Sequence, residues 1–206
     1  CAVADYNEYY GGALVGCKTY CAPFRRQSVL VIDTADDSSY LIGGVTTTVS
    51  STNGWWGWFV RSSVNGKLYA APGSESSILV VDPSDDSLSY ITAGIPAGNR
   101  KYTGGIEDQN GYIWLIPRNA ETLLVIDPRT DTVRTVGTLP AGVDKWNGGT
   151  RIGRYIFMYP RQGMQVLRVD TLTDQVDYLP TLLNSASKFV GSVDAGGASY
   201  LIPYAA

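Results

Sequence analysis

Residues 113–136 read IWLIPRNAETLLVIDPRTDTVRTV and contain three short apolar runs. One apolar run ends at Pro117, a second run over 123–126 ends at Asp127, and a turn leads into a third run that ends at Val136. Each run is short, rich in β-branched and aromatic residues, and bounded by turn-forming residues, which is typical of β-strands. Because the run 123–126 is apolar at every position, we expect both faces of that strand to be buried.

The same pattern recurs along the chain. A proline closes an apolar or aromatic run five times, at intervals of 49, 45, 43 and 43 residues: Pro23, Pro72, Pro117, Pro160 and Pro203. Ten positions after each of the first four prolines an aspartate closes the next run, and a second aspartate stands four positions later: Asp33 and Asp37, Asp82 and Asp86, Asp127 and Asp131, Asp170 and Asp174. A register kept through four units identifies an internal repeat.

Each unit predicts four short antiparallel strands. The Asn-Gly pairs at 65–66 and 110–111 are strong signals for a tight turn between the first strand and the second. We expect the aspartates that close the third strands to cap the turns that follow them. Four antiparallel strands per unit, repeated in series and buried on both faces, predict an all-β fold, a β-propeller of four-stranded blades.

The repeat also resembles a known family. Residues 113–136, with 69–98 beside them, are similar to the YVTN/YncE-like repeat of the quinoprotein-like and NHL-type propellers. The shared pattern is a strand, a loop, a strand ending in V-x-V-I-D, a short turn and a link rich in glycine and proline. The resemblance covers most of the chain, and it implies the propeller architecture rather than a particular ligand.

The number of units bears on the size of the ring. We predict a single domain over 1–206, with repeat units at about 8–49, 50–99, 100–143 and 144–186 and a partial fifth unit at 187–206. Propellers have about four to eight blades, and an open end exposes unpaired strands. We therefore expect these four complete blades and the partial fifth to belong to a larger ring of six or seven blades. A four-bladed ring with an extra flap is the alternative.

Composition excludes several functional classes. The 206 residues contain no histidine, which removes Ser-His-Asp and Cys-His catalysis and histidine-based zinc sites. A net charge of −3 argues against a general nucleic-acid binder, and no apolar run is long enough to span a membrane. Three cysteines, Cys1, Cys17 and Cys21, predict no disulfide framework and mildly favour a reducing compartment. The sequence indicates no metal site and no cofactor.

Repeat position separates the charges onto two faces of the predicted disc. The links after the second and fourth strands lie on one face, which is mostly basic: Arg25, Arg26, Arg100, Lys101, Arg118, Lys145, Arg161 and Lys188. The links after the first and third strands lie on the other face, which is mostly acidic. Because Lys101, Lys145 and Lys188 each precede a first-strand aromatic residue, we expect three ammonium groups at the rim of the central channel, where an anion could bind. Solvated loop charge is the alternative.

Residues 54–59, GWWGWF, form the most unusual local sequence. We expect Trp55 to share the position of the other first-strand aromatic residues and to lie in the core between blades. Trp56 and Trp58 then have no assigned role. Because aromatic faces stack on sugar rings, these two residues suggest a carbohydrate site, with packing in the core or against a partner as the alternative.

The leading functional prediction is a non-enzymatic scaffold that binds a protein partner or an anionic ligand through the basic loop face and the mouth of the central channel. The residues expected to carry this function are Lys101, Lys145, Lys188, Arg25, Arg26, Arg118 and Arg161. The alternatives are a lectin-like propeller that uses Trp56 and Trp58, and a propeller hydrolase or lyase with carboxylates in the channel. No catalytic residue is singled out.

Overall fold

The computed structural model describes residues 8–47, 56–162, 165–180, 189–195 and 198–203. Within these ranges the chain consists of β-strands and their connecting links. No helix in them is long and apolar enough to cross a membrane.

The strands form four antiparallel sheets of four strands and one antiparallel pair, named here blades 1 to 5. Blade 1 contains β1 (Tyr9–Val15), β2 (Lys18–Pro23), β3 (Ser28–Asp33) and β4 (Ser38–Gly43). Blade 2 contains β5 (Trp56–Arg61), β6 (Leu68–Pro72), β7 (Ile78–Asp82) and β8 (Ser87–Ile91). Blade 3 contains β9 (Tyr102–Glu107), β10 (Ile113–Pro117), β11 (Leu123–Asp127) and β12 (Thr132–Val136). Blade 4 contains β13 (Trp146–Ile152), β14 (Tyr155–Pro160), β15 (Val166–Asp170) and β16 (Gln175–Leu179), and blade 5 contains β17 (Phe189–Ala195) and β18 (Ala198–Pro203).

Within each blade, every strand pairs with the next strand along the chain, as the repeat predicts. The repeated proline ends the second strand and lies opposite the aromatic residue that opens the first: Tyr9 and Pro23, Trp56 and Pro72, Tyr102 and Pro117, Trp146 and Pro160, Phe189 and Pro203. The register shifts directly beyond this pair in each blade. A proline has no N–H to contribute to the ladder, and it is tolerated there because the register shift interrupts the ladder at that point.

The core lies between successive blades. Tyr20 and Val31 of blade 1 pack with Leu79 and Val81 of blade 2, and all four side chains are fully buried. Two further clusters of the same kind lie between blades 2 and 3 and between blades 3 and 4. Successive residues of a strand point to opposite faces, so a third strand buried on both sides must be apolar throughout. The burial predicted for 123–126 is confirmed.

The first strands of neighbouring blades lie side by side, β1 against β5, β5 against β9, and β9 against β13. Their approach is close enough that a Cβ atom added to Gly57 would lie 2.1 Å from the carbonyl oxygen of Thr103. Glycine is therefore required at that point of the inner strands.

The turns between third and fourth strands use the repeated aspartates. The first aspartate accepts a hydrogen bond from the backbone N–H two residues later in every complete blade, at Asp33, Asp82, Asp127 and Asp170. The predicted capping role is confirmed. The second aspartate adopts a left-handed backbone, with φ between 52° and 59°, at Asp37, Asp86, Asp131 and Asp174.

Candidate functional site

Two arginine side chains contact one carboxylate, and a third acts on it through its charge, at the face formed by the links after the second and fourth strands. The guanidinium of Arg118 donates through Nε to Oδ1 of Asp144, and Nη1 of Arg161 lies 3.3 Å from the same oxygen. Arg100 acts on the same carboxyl group through its charge. Three positive charges thus face one negative charge, which leaves the cluster positive.

The repeat explains why these residues meet. Arg118 and Arg161 directly follow the prolines that end β10 and β14, and Arg100 and Asp144 each precede the lysine that leads into a first strand. Backbone hydrogen bonds of 2.8 Å run between the two kinds of link, from Arg118 N to Lys101 O, from Lys145 N to Arg118 O, and from Arg161 N to Lys145 O. The side chains at these positions are therefore brought to one edge of the blades.

The backbone at Arg100 and Asp144 is left-handed, with φ values of 50° and 53°. Such a conformation is unusual for residues other than glycine, asparagine and aspartate. The backbone N–H group of Asp144 donates to Oδ1 of Asn119 at 2.8 Å, which holds this link in place.

Burial alone would raise the pKa of Asp144, because it disfavours the charged carboxylate. The hydrogen bond and charge of Arg118, with the charges of Arg161 and Arg100, outweigh this effect and hold the pKa below the ordinary value of 3.8. The Asp144 carboxylate is therefore ionised at neutral pH.

A small pocket opens beside the arginine cluster, between the inner strands of blades 1 to 3. Arg100 and Arg118 line one part of it, and the rings of Tyr10 and Phe24 line another. The remaining wall comes from the first residues of the inner strands and from two glycines: Trp56, Tyr102, Thr103, Gly57 and Gly73. The space has room for about one water molecule, so a larger ligand would lie across its mouth.

Two buried polar atoms at the inner strands have no hydrogen-bond partner among the described residues, Thr103 Oγ1 and Asn147 Oδ1. Thr103, which lines the pocket, is 2% exposed. Both residues follow the opening aromatic residue of a first strand, Tyr102 in blade 3 and Trp146 in blade 4. A buried polar group without a partner costs about 1–3 kcal/mol, so these atoms mark a place where a polar ligand atom would be favoured.

Known proteins resemble the chain in structure but not in sequence. No protein-family profile matches it, and no curated protein matches it by sequence. Virginiamycin B lyase from Staphylococcus aureus superposes with a TM-score of 0.74 at 14% identity, over 95% of this chain and 63% of that chain. A catalytically inactive histidine-to-alanine variant of that lyase, solved with quinupristin, superposes with a TM-score of 0.73 at 14% identity, over 98% of this chain and 66% of that chain.

A third solved structure is the extracellular domain of the one-component system protein BT4673 from B. thetaiotaomicron. It superposes with a TM-score of 0.66 at 11% identity, over 91% of this chain and 25% of that chain. The fold is a β-propeller. At such identities the likeness establishes the fold alone, because one fold carries many functions. The chain spans 63% of the length of the lyase chain.

Lys101 and Lys145 do not reach an open mouth of the propeller. Their exposed fractions are 2% and 1%. The Nζ atom of Lys101 donates to the carbonyl oxygens of Gly73, Glu75 and Gly98 at 3.0, 2.8 and 3.1 Å. Burial lowers the pKa of Lys101 to about 8, while the charge of Glu75 opposes that shift.

The Nζ atom of Lys145 donates in the same way to the carbonyl oxygens of Ala120 and Pro140, at 2.6 and 2.9 Å. The predicted position at the channel rim is therefore wrong for Lys101 and Lys145. An ammonium surrounded by backbone carbonyls fastens the link before a first strand to the link after a second strand, and it cannot also face a ligand. Lys188 lies outside the described residues.

The register also corrects the predicted roles of the tryptophans. Trp56, and not Trp55, pairs with the repeated proline, and its Nε1 donates to the carbonyl oxygen of Ser77 at 2.9 Å. Trp146 makes the equivalent bond to Gln165 O at 2.8 Å. Trp56 is fully buried, which leaves no ring face for a sugar, and Trp55 lies outside the described residues. Trp58 is half-buried and covers Gly11 and Gly104 of the neighbouring inner strands.

The other predicted binding residues lie on the basic face. Arg25 and Arg26 are exposed at the edge of blade 1. Arg26 forms an ion pair with Glu8, and the guanidinium of Arg25 lies 5.8 Å from the ring centroid of Phe24. Arg118 and Arg161 belong to the cluster around Asp144. Of the six predicted basic binding residues that the structure describes, Arg118 and Arg161 are the two that contact the same carboxylate.

The sequence places Arg100 on the basic face without assigning it a binding role, and it does not single out Tyr10, Phe24, Thr103 or Asn147. The signal was present in the repeat, because each of them stands directly after an opening aromatic residue, after a proline, or before a lysine.

The acidic residues of the opposite face serve as turn caps and as contacts between blades. Glu107 accepts hydrogen bonds from the N–H group of Ser63 at 2.8 and 3.1 Å, and Asp108 accepts one from Nε1 of Trp114 at 2.9 Å. Among the described residues, no group of three histidine, cysteine, aspartate or glutamate side chains lies close enough to hold a metal ion.

Proposed function

We propose that this propeller is a non-enzymatic binding protein that holds a small anionic ligand against the cluster of Arg100, Arg118 and Arg161, beside the pocket that Arg100 and Arg118 line. The observation that carries the proposal is the convergence of the Arg118 and Arg161 guanidinium groups on the single carboxylate of Asp144, with the charge of Arg100 acting on the same group. Guanidinium groups bind carboxylate and phosphate oxygens through paired N–H donors. The surplus of positive charge favours an anion at this point.

The surroundings of the cluster support the same function. Asp144 fixes Arg118 and Arg161 in position, which lowers the conformational entropy that binding would otherwise cost. Thr103 Oγ1, which lines the pocket, is available for a polar ligand atom. Arg100 is exposed, so its guanidinium can be reached from solvent.

Binding is a better account of the cluster than proton transfer. The Asp144 carboxylate is held ionised by its arginine partners, and a general base poised for catalysis near neutral pH needs a pKa closer to 7. The 206 residues offer no histidine for that role. The likeness to a lyase supports a pocket-bearing propeller, and lyase activity is not part of this proposal.

The experiment is a calorimetric titration of the protein with inorganic phosphate at neutral pH and low ionic strength. We expect Arg100→Asn to raise the Kd at least about tenfold, since a charge-assisted hydrogen bond is worth about 1.5–3 kcal/mol. Asparagine is chosen because it tolerates the left-handed backbone of Arg100. The matched control is Arg151→Asn, which removes an exposed arginine at the end of β13, on the opposite face. An absence of phosphate binding, or equal Kd values for the two variants, would refute the proposal.

A further inference from the structure

The residue types at and beside the pocket differ systematically from blade to blade. The position directly after the repeated proline holds Phe24 in blade 1, Gly73 in blade 2, Arg118 in blade 3 and Arg161 in blade 4. Phe24, Gly73 and Arg118 line the same pocket. One side of the pocket is therefore lined by an aromatic ring, the opposite side by a guanidinium group, and the blade between them contributes only a glycine. The Arg25 guanidinium lies on the aromatic side, 5.8 Å from the ring centroid of Phe24.

A second position shows the same order independently. The residue after the opening aromatic residue of the first strand is Tyr10 in blade 1, Gly57 in blade 2, Thr103 in blade 3 and Asn147 in blade 4. It is thus an aromatic residue, then glycine, then two polar residues with unpartnered buried atoms. Two positions on different strands agree on which blade supplies the apolar side and which blades supply the polar side.

The aromatic side is a cluster of rings rather than a single ring. The ring centroids of Tyr10 and Phe24 are 5.2 Å apart at an interplanar angle of 48°, and those of Tyr10 and Trp58 are 5.8 Å apart at 45°. All three residues are half-buried, so part of each ring surface is open. Tilted rings at such separations present edges and faces on which another flat ring packs well.

From this arrangement we propose that the ligand is a small organic anion carrying a flat aromatic group. Its carboxylate or phosphate would bind to Arg100, Arg118 and Arg161, and its ring would pack on Tyr10 and Phe24 across the gap at Gly73. This inference rests on the proposed function and specifies the chemical class of its ligand. Because the pocket has room for about one water molecule, the ligand lies across the mouth with one polar atom directed at Thr103 Oγ1.

The test compares two anions with the same head group, inorganic phosphate and phenyl phosphate, by calorimetric titration of the full chain. We expect phenyl phosphate to bind at least about tenfold more tightly than inorganic phosphate, because ring packing on aromatic side chains adds to the binding free energy. Phe24→Leu, and separately Tyr10→Leu, should reduce this ratio to below about threefold. Because two separate variants are measured, misfolding of one of them does not invalidate the test. Circular dichroism checks that each variant is folded.

One control variant and the combination of outcomes separate this inference from the proposed function. Tyr112→Leu removes a half-buried ring from the link after β9, on the opposite face, and should leave the ratio unchanged. If phosphate binds and depends on Arg100 but phenyl phosphate binds no more tightly, the ligand class is wrong and the proposed function stands. A ratio that persists in both Phe24→Leu and Tyr10→Leu would place the ring elsewhere and overturn the inference. If neither anion binds, the proposed function fails and this inference fails with it.

Discussion

The hydroxyl of Tyr69, in the second strand of blade 2, donates a hydrogen bond of 2.7 Å to Oδ1 of Asp131, in the outer turn of blade 3. Asp86 of blade 2 accepts an equivalent bond of 2.8 Å from Tyr20 of blade 1. Asp174 of blade 4 is instead held by Arg134 of blade 3, through bonds of 2.7 and 3.0 Å. The left-handed aspartate of each of these turns therefore ties its blade to the preceding one.

Replacing Tyr69 by phenylalanine should lower the free energy of unfolding by about 1.5–3 kcal/mol, since a hydrogen bond to a charged group contributes about that much. The change removes the donor to Asp131 and leaves the ring in the core. Chemical denaturation measures the loss. Tyr178→Phe is the matched control, because the Tyr178 hydroxyl has no hydrogen-bond partner among the described residues. Equal denaturation midpoints for the two variants would show that the hydrogen bond between Tyr69 and Asp131 contributes nothing to stability.

Replacing Gly57 by alanine should destabilise the protein by at least about 3 kcal/mol, because the added methyl group would collide with the Thr103 carbonyl of the next inner strand. Gly43→Ala is the control, since nothing lies within 4 Å of its added Cβ atom and its backbone is not left-handed. That control should be neutral or up to about 1 kcal/mol more stable. Thermal unfolding of both variants tests whether the inner strands approach as closely as the structure shows.

Acidification should weaken the ion pairs of the arginine cluster, because it protonates the Asp144 carboxylate. Its pKa is lower in the folded protein than in the unfolded chain, so the ion pairs stabilise the fold fully above pH 3.8, and this stabilisation is lost as the pH falls through the folded pKa. The free energy of unfolding, measured in urea between pH 6 and pH 2.5, should therefore fall more steeply in the wild-type protein than in Asp144→Asn. Parallel curves for the two proteins would contradict the assigned partners of Asp144.

Replacing Lys101 by methionine should lower the free energy of unfolding by about 2 kcal/mol. Removing the ammonium relieves the cost of burying a charge, but it also leaves the buried carbonyl oxygen of Glu75 without the donor that the lysine supplied, and the second effect is the larger. Denaturant titration gives the value, and Lys67→Met is the control because Lys67 is partly exposed with one ion pair at 3.8 Å. A more stable Lys101→Met variant would show that Lys101 is kept for another reason.

The repeat determined which segments are strands, which strands pair, and how the turns are capped. Strand periodicity, prolines, Asn-Gly pairs and capping aspartates act over fewer than ten residues, so they can be read from the sequence. The continuous apolar run at 123–126 predicted burial on both faces, and it is buried on both faces. The one-residue error at Trp55 and Trp56 arose because a register shift beside the aromatic residue is not visible in residue type.

The composition of the site was decided by the tertiary structure. Lys101 and Arg118 are both basic residues beside a strand end in the sequence. In the structure the Lys101 ammonium donates to three backbone carbonyl oxygens of two links, whereas Arg118 contacts Asp144, which leads into the next blade. Whether a charged side chain faces a ligand or the interior depends on which groups the neighbouring blade brings within a few ångströms. Local sequence determines the blade and its turns, but contacts between residues far apart along the chain exist only once the blades have packed together.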